Sequence, residues 1–484
     1  MTSRKTDQRK LHWKIVWLFI CLIILFSQLS ALTKLQPKKK ILSNGLELIY
    51  QTDPSSAITV LQILIKGGKG AEPEDKHGLA YLTTRLTVEI PDFSKVRELM
   101  NQASQVYWTS KADYSFIHIV SLSENLENTL KISTEILLKP LFSSIRIDRI
   151  KKQMTYQKKR EEDDAIKVGH SAVLEKLFAG TSYGGPFLGS EDTLKSIKKR
   201  DIQDFYNKHF NAKNMIISAI SDLEEEKLTG ILERYLLKIP SGEPLSFKQK
   251  LAQIPEEKSI FIEKDTKQFY ISLAFPLPEI TPKNYALAYM TETLLGKGVS
   301  SRLWFLRTKE KLAYNINCVA TQMIDGGMLE AYIETDKDKK DVALKALRKT
   351  LNQLYEEGIS EEELAITKTY SIASFLMDNE TKANRASNLA YYEAINFGYE
   401  FLNRFDEEIG AISLEEMNAY IKERLDPEKA VEIIVGPKEE PQLYSVPIIS
   451  SRSSTFFGMD LPRILCPSSM TSTLSSIRIP PKSL

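Results

Sequence analysis

The stretch HGLAYLTTR, His77 to Arg85, brings a histidine, a tyrosine, threonines and an arginine into a run whose leucines fall at helical spacing. Leu79, Leu82, Leu86 and Ile90 form an apolar stripe suited to packing on a sheet, while Tyr81, Thr84 and Arg85 share another face. Two histidines three or four residues apart on one helical face could grip a metal ion together. That chemistry is excluded throughout the chain. Its histidines are His12, His77, His118, His170 and His209, and no two stand three or four residues apart. His77 reads as a polar residue at the start of a helix. The glycine cluster at Lys66 to Gly70 lacks the lysine followed by Ser or Thr that a phosphate loop uses, and reads as a tight strand-to-helix turn. GKGVSSR does not give the GxSxG elbow of a serine hydrolase. Cys21, Cys318 and Cys466 form no CxxC pair and suggest neither a metal knuckle nor a disulfide framework.

The elements that must hold these residues can be read in order. LSNGLELIY is a turn at Asn44-Gly45 followed by a strand, and AITVLQILIK is a second strand leading into the glycine turn. VYWTS and YSFIHIVSL read as paired strands, and Ser121 with Glu124 offers a capping box for the helix running to Pro140. A charged helix follows from about Ile145, then two shorter helices and the strand NMIISAIS. Beyond a polar segment holding three prolines, the order repeats. FYISLAFP falls where AITVLQILI fell, GGMLEAYIET where YSFIHIVSL fell, and AVEIIVG where NMIISAIS fell. The expectation is an α+β protein of two tandem homologous domains, each a mostly antiparallel sheet with helices packed on it. The boundaries are 33–238 and 260–438, with a linker at 239–259.

With 65 basic and 63 acidic side chains among 484 residues, overall charge gives no argument for nucleic acid. Residues 1–32 order a basic start, an apolar run and a mildly polar end as an export signal does. The apolar run from Ile15 to Leu32 is 18 residues, long enough to span a bilayer, so both an uncleaved membrane anchor and a cleaved signal fit. The protein is expected outside the cytoplasm, in a periplasm-like space, anchored or released. From Pro441 to the end, 20 of 44 residues are Ser, Thr or Pro, and residues 439–484 read as a disordered tail.

LSNGLELIY, KGGKGAEPEDKHGLAYL, YGGPFLGSEDTL and LLGKGVSSRLWFLRTKEKLAY, collinear from Leu42 to about Pro437, resemble the pitrilysin/insulinase family of zinc peptidases. The family's signature is HxxEH on a helix, with a distant glutamate completing the zinc ligands. The resemblance places Tyr81, Thr84 and Arg85 at the three signature positions, and none can substitute. For the distant glutamate, aligning EEDDA selects Gln157, whereas counting from Arg85 lands near Glu162. In the second half, the family's RxxxGLAY arginine and tyrosine, which reach the substrate backbone, correspond to Arg307 and Tyr314 in RTKEKLAY. Lys311 stands where the family has glycine, so the turn into the following strand is open to difference.

The resemblance implies a degenerate, non-catalytic subunit that binds no zinc itself and supplies Arg307 and Tyr314 to a zinc-bearing homologous partner that hydrolyses peptides. The alternative is a scaffold or binding protein of a membrane-associated complex with no role in proteolysis. An independently active zinc metallopeptidase is the third reading.

Overall fold

The computed structural model describes residues 36–438, apart from 246, 247, 250 and 251. The export segment expected over 1–32 and the tail expected over 439–484, with Cys21 and Cys466, lie outside the described residues. No helix among the described residues is long and apolar enough to cross a membrane.

The first half runs β1 (Lys38–Ile41), β2 (Glu47–Thr52), β3 (Ile58–Lys66), α1 (Leu79–Val88), α2 (Phe93–Asn101), β4 (Gln105–Ser110), β5 (Tyr114–Leu122) and α3 (Leu126–Leu138). It continues through α4 (Ser144–Glu162), α5 (Ala165–Leu177), α6 (Glu191–Ser196), α7 (Lys199–His209), β6 (Met215–Ser221) and α8 (Glu225–Leu236). The second half runs β7 (Ser259–Glu263), β8 (Gln268–Leu277), α9 (Pro282–Gly296), α10 (Trp304–Thr308), β9 (Asn315–Met323) and β10 (Gly326–Asp336). After it come α11 (Lys340–Glu357), α12 (Glu361–Asp378), α13 (Lys382–Ala394), α14 (Phe401–Ala411), α15 (Leu414–Arg424) and β11 (Val431–Gly436).

These strands form two sheets, ordered β1-β2-β6-β3-β5-β4 and β7-β11-β8-β10-β9. Leaving β1 aside, the second order repeats the first, and so does the pairing. β2 with β6 and β7 with β11 are parallel, and the other neighbours are antiparallel. The α+β repeat expected from strand order is therefore present.

β3 is apolar almost throughout because both of its faces are covered. Leu61, Ile63 and Ile65 pack with Leu126 and Leu130 of α3 and Leu228 and Leu232 of α8. Val60 and Leu64 instead meet Ala386, Leu389 and Ala390 of α13, a helix from the second half. The exchange is reciprocal. Val173 and Leu177 of α5 pack with Tyr270, Ala274, Val431, Ile433 and Val435 of the second sheet. Gly169 permits this approach, since a Cβ there would lie 2.1 Å from the Tyr270 ring.

Polar ties secure both exchanged helices. His170 Nδ1 lies 2.8 Å from the Glu330 carboxylate, which also accepts from the Tyr270 hydroxyl at 2.6 Å. On α13, Lys382 Nζ donates to the carbonyls of Asp53, Ser56 and Ile58 at 2.7, 2.8 and 3.0 Å, and Arg385 pairs with the Asp53 carboxylate. Between the β4–β5 and β9–β10 turns, buried Asp113 accepts from Ile324 N at 3.1 Å and from the Tyr183 hydroxyl. Burial pushes its carboxyl up to about 6. The described residues accordingly form one compact unit.

Three local expectations are corrected. The capping box at Ser121 and Glu124 is absent. A 3-10 turn at Ser123–Asn125 precedes α3, and Ser121 Oγ donates to Leu122 O at 2.8 Å. The stripe of α1 stops short of Ile90, because the helix ends at Val88 and Glu89 is extended. Three helices rather than two, α5 to α7, lie between the charged helix and β6.

Candidate functional site

Helix α1 is launched by its upstream turn. Gly78 has φ of 93°, a left-handed conformation that costs glycine little. The buried Glu72 carboxylate accepts from Gly78 N at 3.1 Å and Ala80 N at 2.7 Å, satisfying amides that a helix start leaves free. Burial raises the Glu72 pKa, while these hydrogen bonds oppose the rise. His77 Nδ1 stands 3.6 Å from Glu72, beyond hydrogen-bonding distance, so the carboxylate rather than the histidine holds the helix end. Lys69, in the glycine cluster, is buried and donates to Tyr183 O at 2.6 Å; burial brings its pKa down to about 8. The cluster thus pins a turn.

Leu79, Leu82 and Leu86 of α1 pack with Ile150 and Met154 of α4 and Ile202 and Phe205 of α7. That packing directs Tyr81 and Arg85 onto α4. The Tyr81 hydroxyl donates to Gln157 Oε1 at 2.8 Å, Gln157 Nε2 donates to Glu161 Oε1 at 3.0 Å, and Arg85 donates to Gln153 Oε1. Gln153, Gln157 and Glu161 are spaced by four residues and share one face of α4. Gln157 thus lies opposite Tyr81, whereas Glu162 stands 4.0 Å from Lys158. Thr84 is buried and donates to Ser115 Oγ at 3.1 Å, tying α1 to β5.

The Tyr81 ring meets Trp108 of edge strand β4 edge-to-face at 4.7 Å and Phe187 at 5.9 Å. Burial raises the Tyr81 pKa against the pull of Arg85, so the hydroxyl remains a neutral donor. These residues do not fit zinc. A phenol, a threonine, a guanidinium and a carboxamide offer no two imidazoles and place a permanent cation where the metal would lie. Among the described residues, no three His, Cys, Asp or Glu side chains are grouped to hold a metal ion.

Arg307 and Tyr314 flank a turn in the second half. Arg307 is exposed on α10 with its guanidinium 4.8 Å from the Trp304 ring centre. Tyr314, 76% exposed, is anchored through its backbone N–H to Glu334 O at 3.0 Å. Between them Lys311 has φ of 54°, so the backbone takes a glycine-favoured conformation although a lysine occupies it. Sequence reasoning missed Glu72, Gln153, Glu161 and Trp108. The four-residue spacing of Gln153, Gln157 and Glu161 was available in the sequence, whereas the Glu72 contact depends on a loop path that no periodicity encodes.

Residues 47–191 match the family profile described as Insulinase (Peptidase family M16), and residues 196–370 the one described as Peptidase M16 inactive domain. A Rickettsia felis protein named uncharacterized zinc protease is 24% identical over 360 residues, covering 72% of this chain and 85% of that one. The Helicobacter pylori protein named non-peptidase homolog YmxG is 22% identical over 420 residues, covering 85% and 96%. Among solved structures, a peptidase M16 inactive domain from Pseudomonas fluorescens superposes with a TM-score of 0.77 at 20% identity, covering 84% of this chain and 98% of that one.

Proposed function

Since the chain belongs to the insulinase (M16) family of peptidases, we propose that it is a non-catalytic subunit exported from the cytoplasm, which holds peptide for a homologous, zinc-bearing partner. The observation carrying this reading is the contrast between its halves. In the first, the signature tyrosine and threonine are buried and bonded to Gln157 and Ser115. In the second, Arg307 and Tyr314 are exposed, where a core role would have buried the tyrosine. An extended peptide would add as a strand to a sheet edge. Arg307 would donate to its carbonyl and Tyr314 to the oxygen that gains charge during hydrolysis on the partner.

The test is reconstitution of this chain with a homologue that carries HxxEH. Arg307→Ala and Tyr314→Phe are each expected to lower peptide hydrolysis by about tenfold to a hundredfold while pairing persists. Unchanged activity in both variants would defeat this role and favour a scaffold.

A further inference from the structure

Arg85 differs from neighbouring arginines in what surrounds it. Arg146 and Arg149 both lie against the Glu89 carboxylate, at 3.8 and 2.8 Å. Arg85 is half-buried on α1, and its side-chain partners among the described residues are the neutral Gln153 and Tyr81. The carboxylate in this network, Glu161, is held by Gln157 Nε2 at 3.0 Å and makes no ion pair with Arg85. A half-buried guanidinium that donates to Gln153 and has no ion pair among the described residues retains N–H donors for an anion. The rings of Trp108 and Phe187 stand against Tyr81, and Trp108 belongs to the edge strand β4, whose outer side has no partner strand among the described residues.

Resting on the peptide-holding reading above, we propose that Arg85 is a carboxylate-binding site, selecting peptides that carry an acidic side chain where they pass the emptied metal position. A carboxylate accepts two parallel N–H bonds from one guanidinium, a geometry that a neutral amide cannot reproduce with the same charge. Glu161 sets the counterweight, because it disfavours a second anion on its own side.

The experiment is fluorescence anisotropy on the full chain with labelled extended peptides, in which one Glu is moved through each position and compared with Gln at that position. The expected result is a preference for Glu of about tenfold at one position, weakening as salt is raised. Arg85→Gln should abolish the preference, so that Glu and Gln peptides bind equally, and Arg85→Lys should restore part of it. Thermal melts of both variants check folding. Equal binding of Glu and Gln peptides at every position, or a preference that survives Arg85→Gln, overturns the inference and leaves the peptide-holding reading standing. Failure of every peptide to bind overturns that reading, and the inference with it.

Discussion

Lys311 shows how much a single position can retain of a pattern it no longer spells. Its φ of 54° is a conformation in which a Cβ crowds the following carbonyl, at a cost of about 1–2 kcal/mol to an L-residue. Glycine adopts it freely, although glycine's larger unfolded-state entropy takes back part of that gain. Lys311→Gly should therefore raise stability by about 0.5–1 kcal/mol in thermal or denaturant unfolding, since the lysine is exposed. A loss of stability would mean that the side chain contributes something beyond the turn. The departure from glycine was legible in RTKEKLAY; its consequence was not, because a backbone dihedral is set by the strand that follows as well as by the residue itself. Tyr81, Thr84 and Arg85 were equally legible as residues that cannot hold zinc. Their mutual bonds with Gln153, Gln157 and Ser115 needed the packing of α1 on α4 and β5 to be known.

Helix α1 depends on Glu72 in a way that helix signals inside its own sequence do not reveal. Ten residues long, it would be marginal by itself, and no side chain at its N-cap position accepts a hydrogen bond. Glu72, six residues before Gly78, supplies that acceptor twice from a buried position. Glu72→Ala should cost about 2 kcal/mol, from two lost hydrogen bonds and two amides left without a partner. Hydrogen exchange should accelerate at Gly78 and Ala80 more than in α7, which packs on the same core. Uniform acceleration across the molecule would locate the effect in global stability instead. The same logic explains the capping error at α3. Ser121 and Glu124 have the right spacing, but β5 extends to Leu122, and a residue committed to a strand cannot also cap the next helix.

At the scale of the molecule, strand order revealed two copies of one fold, and the exchange of α5 and α13 between them was hidden. Periodicity shows that a helix has an apolar face; it does not say which sheet receives it. The exchange makes the halves interdependent. Without α13, the first sheet would expose Ile49, Val60, Leu64, Phe116, Ile216 and Ile220 on one face. At roughly 1.5–3 kcal/mol for each buried side chain, the loss is on the order of 10 kcal/mol, comparable to the whole stability of an ordinary domain. The second sheet faces the same deficit without Val173 and Leu177 of α5 covering Tyr270, Val431 and Ile433. A fragment of residues 36–238 that excludes α13 should therefore fail to fold alone. It can bury its own helix α5 on no other surface, because the sheet that receives α5 is absent. Mixed with residues 239–438 from denaturant, it should recover cooperative unfolding, with Gly169 and the Lys382 contacts to Asp53, Ser56 and Ile58 re-formed across the cut. Gly169→Leu should block that recovery, since its side chain would occupy the space of the Tyr270 ring. Independent, cooperative folding of either fragment would show instead that exchange adds precision to two domains already stable by themselves.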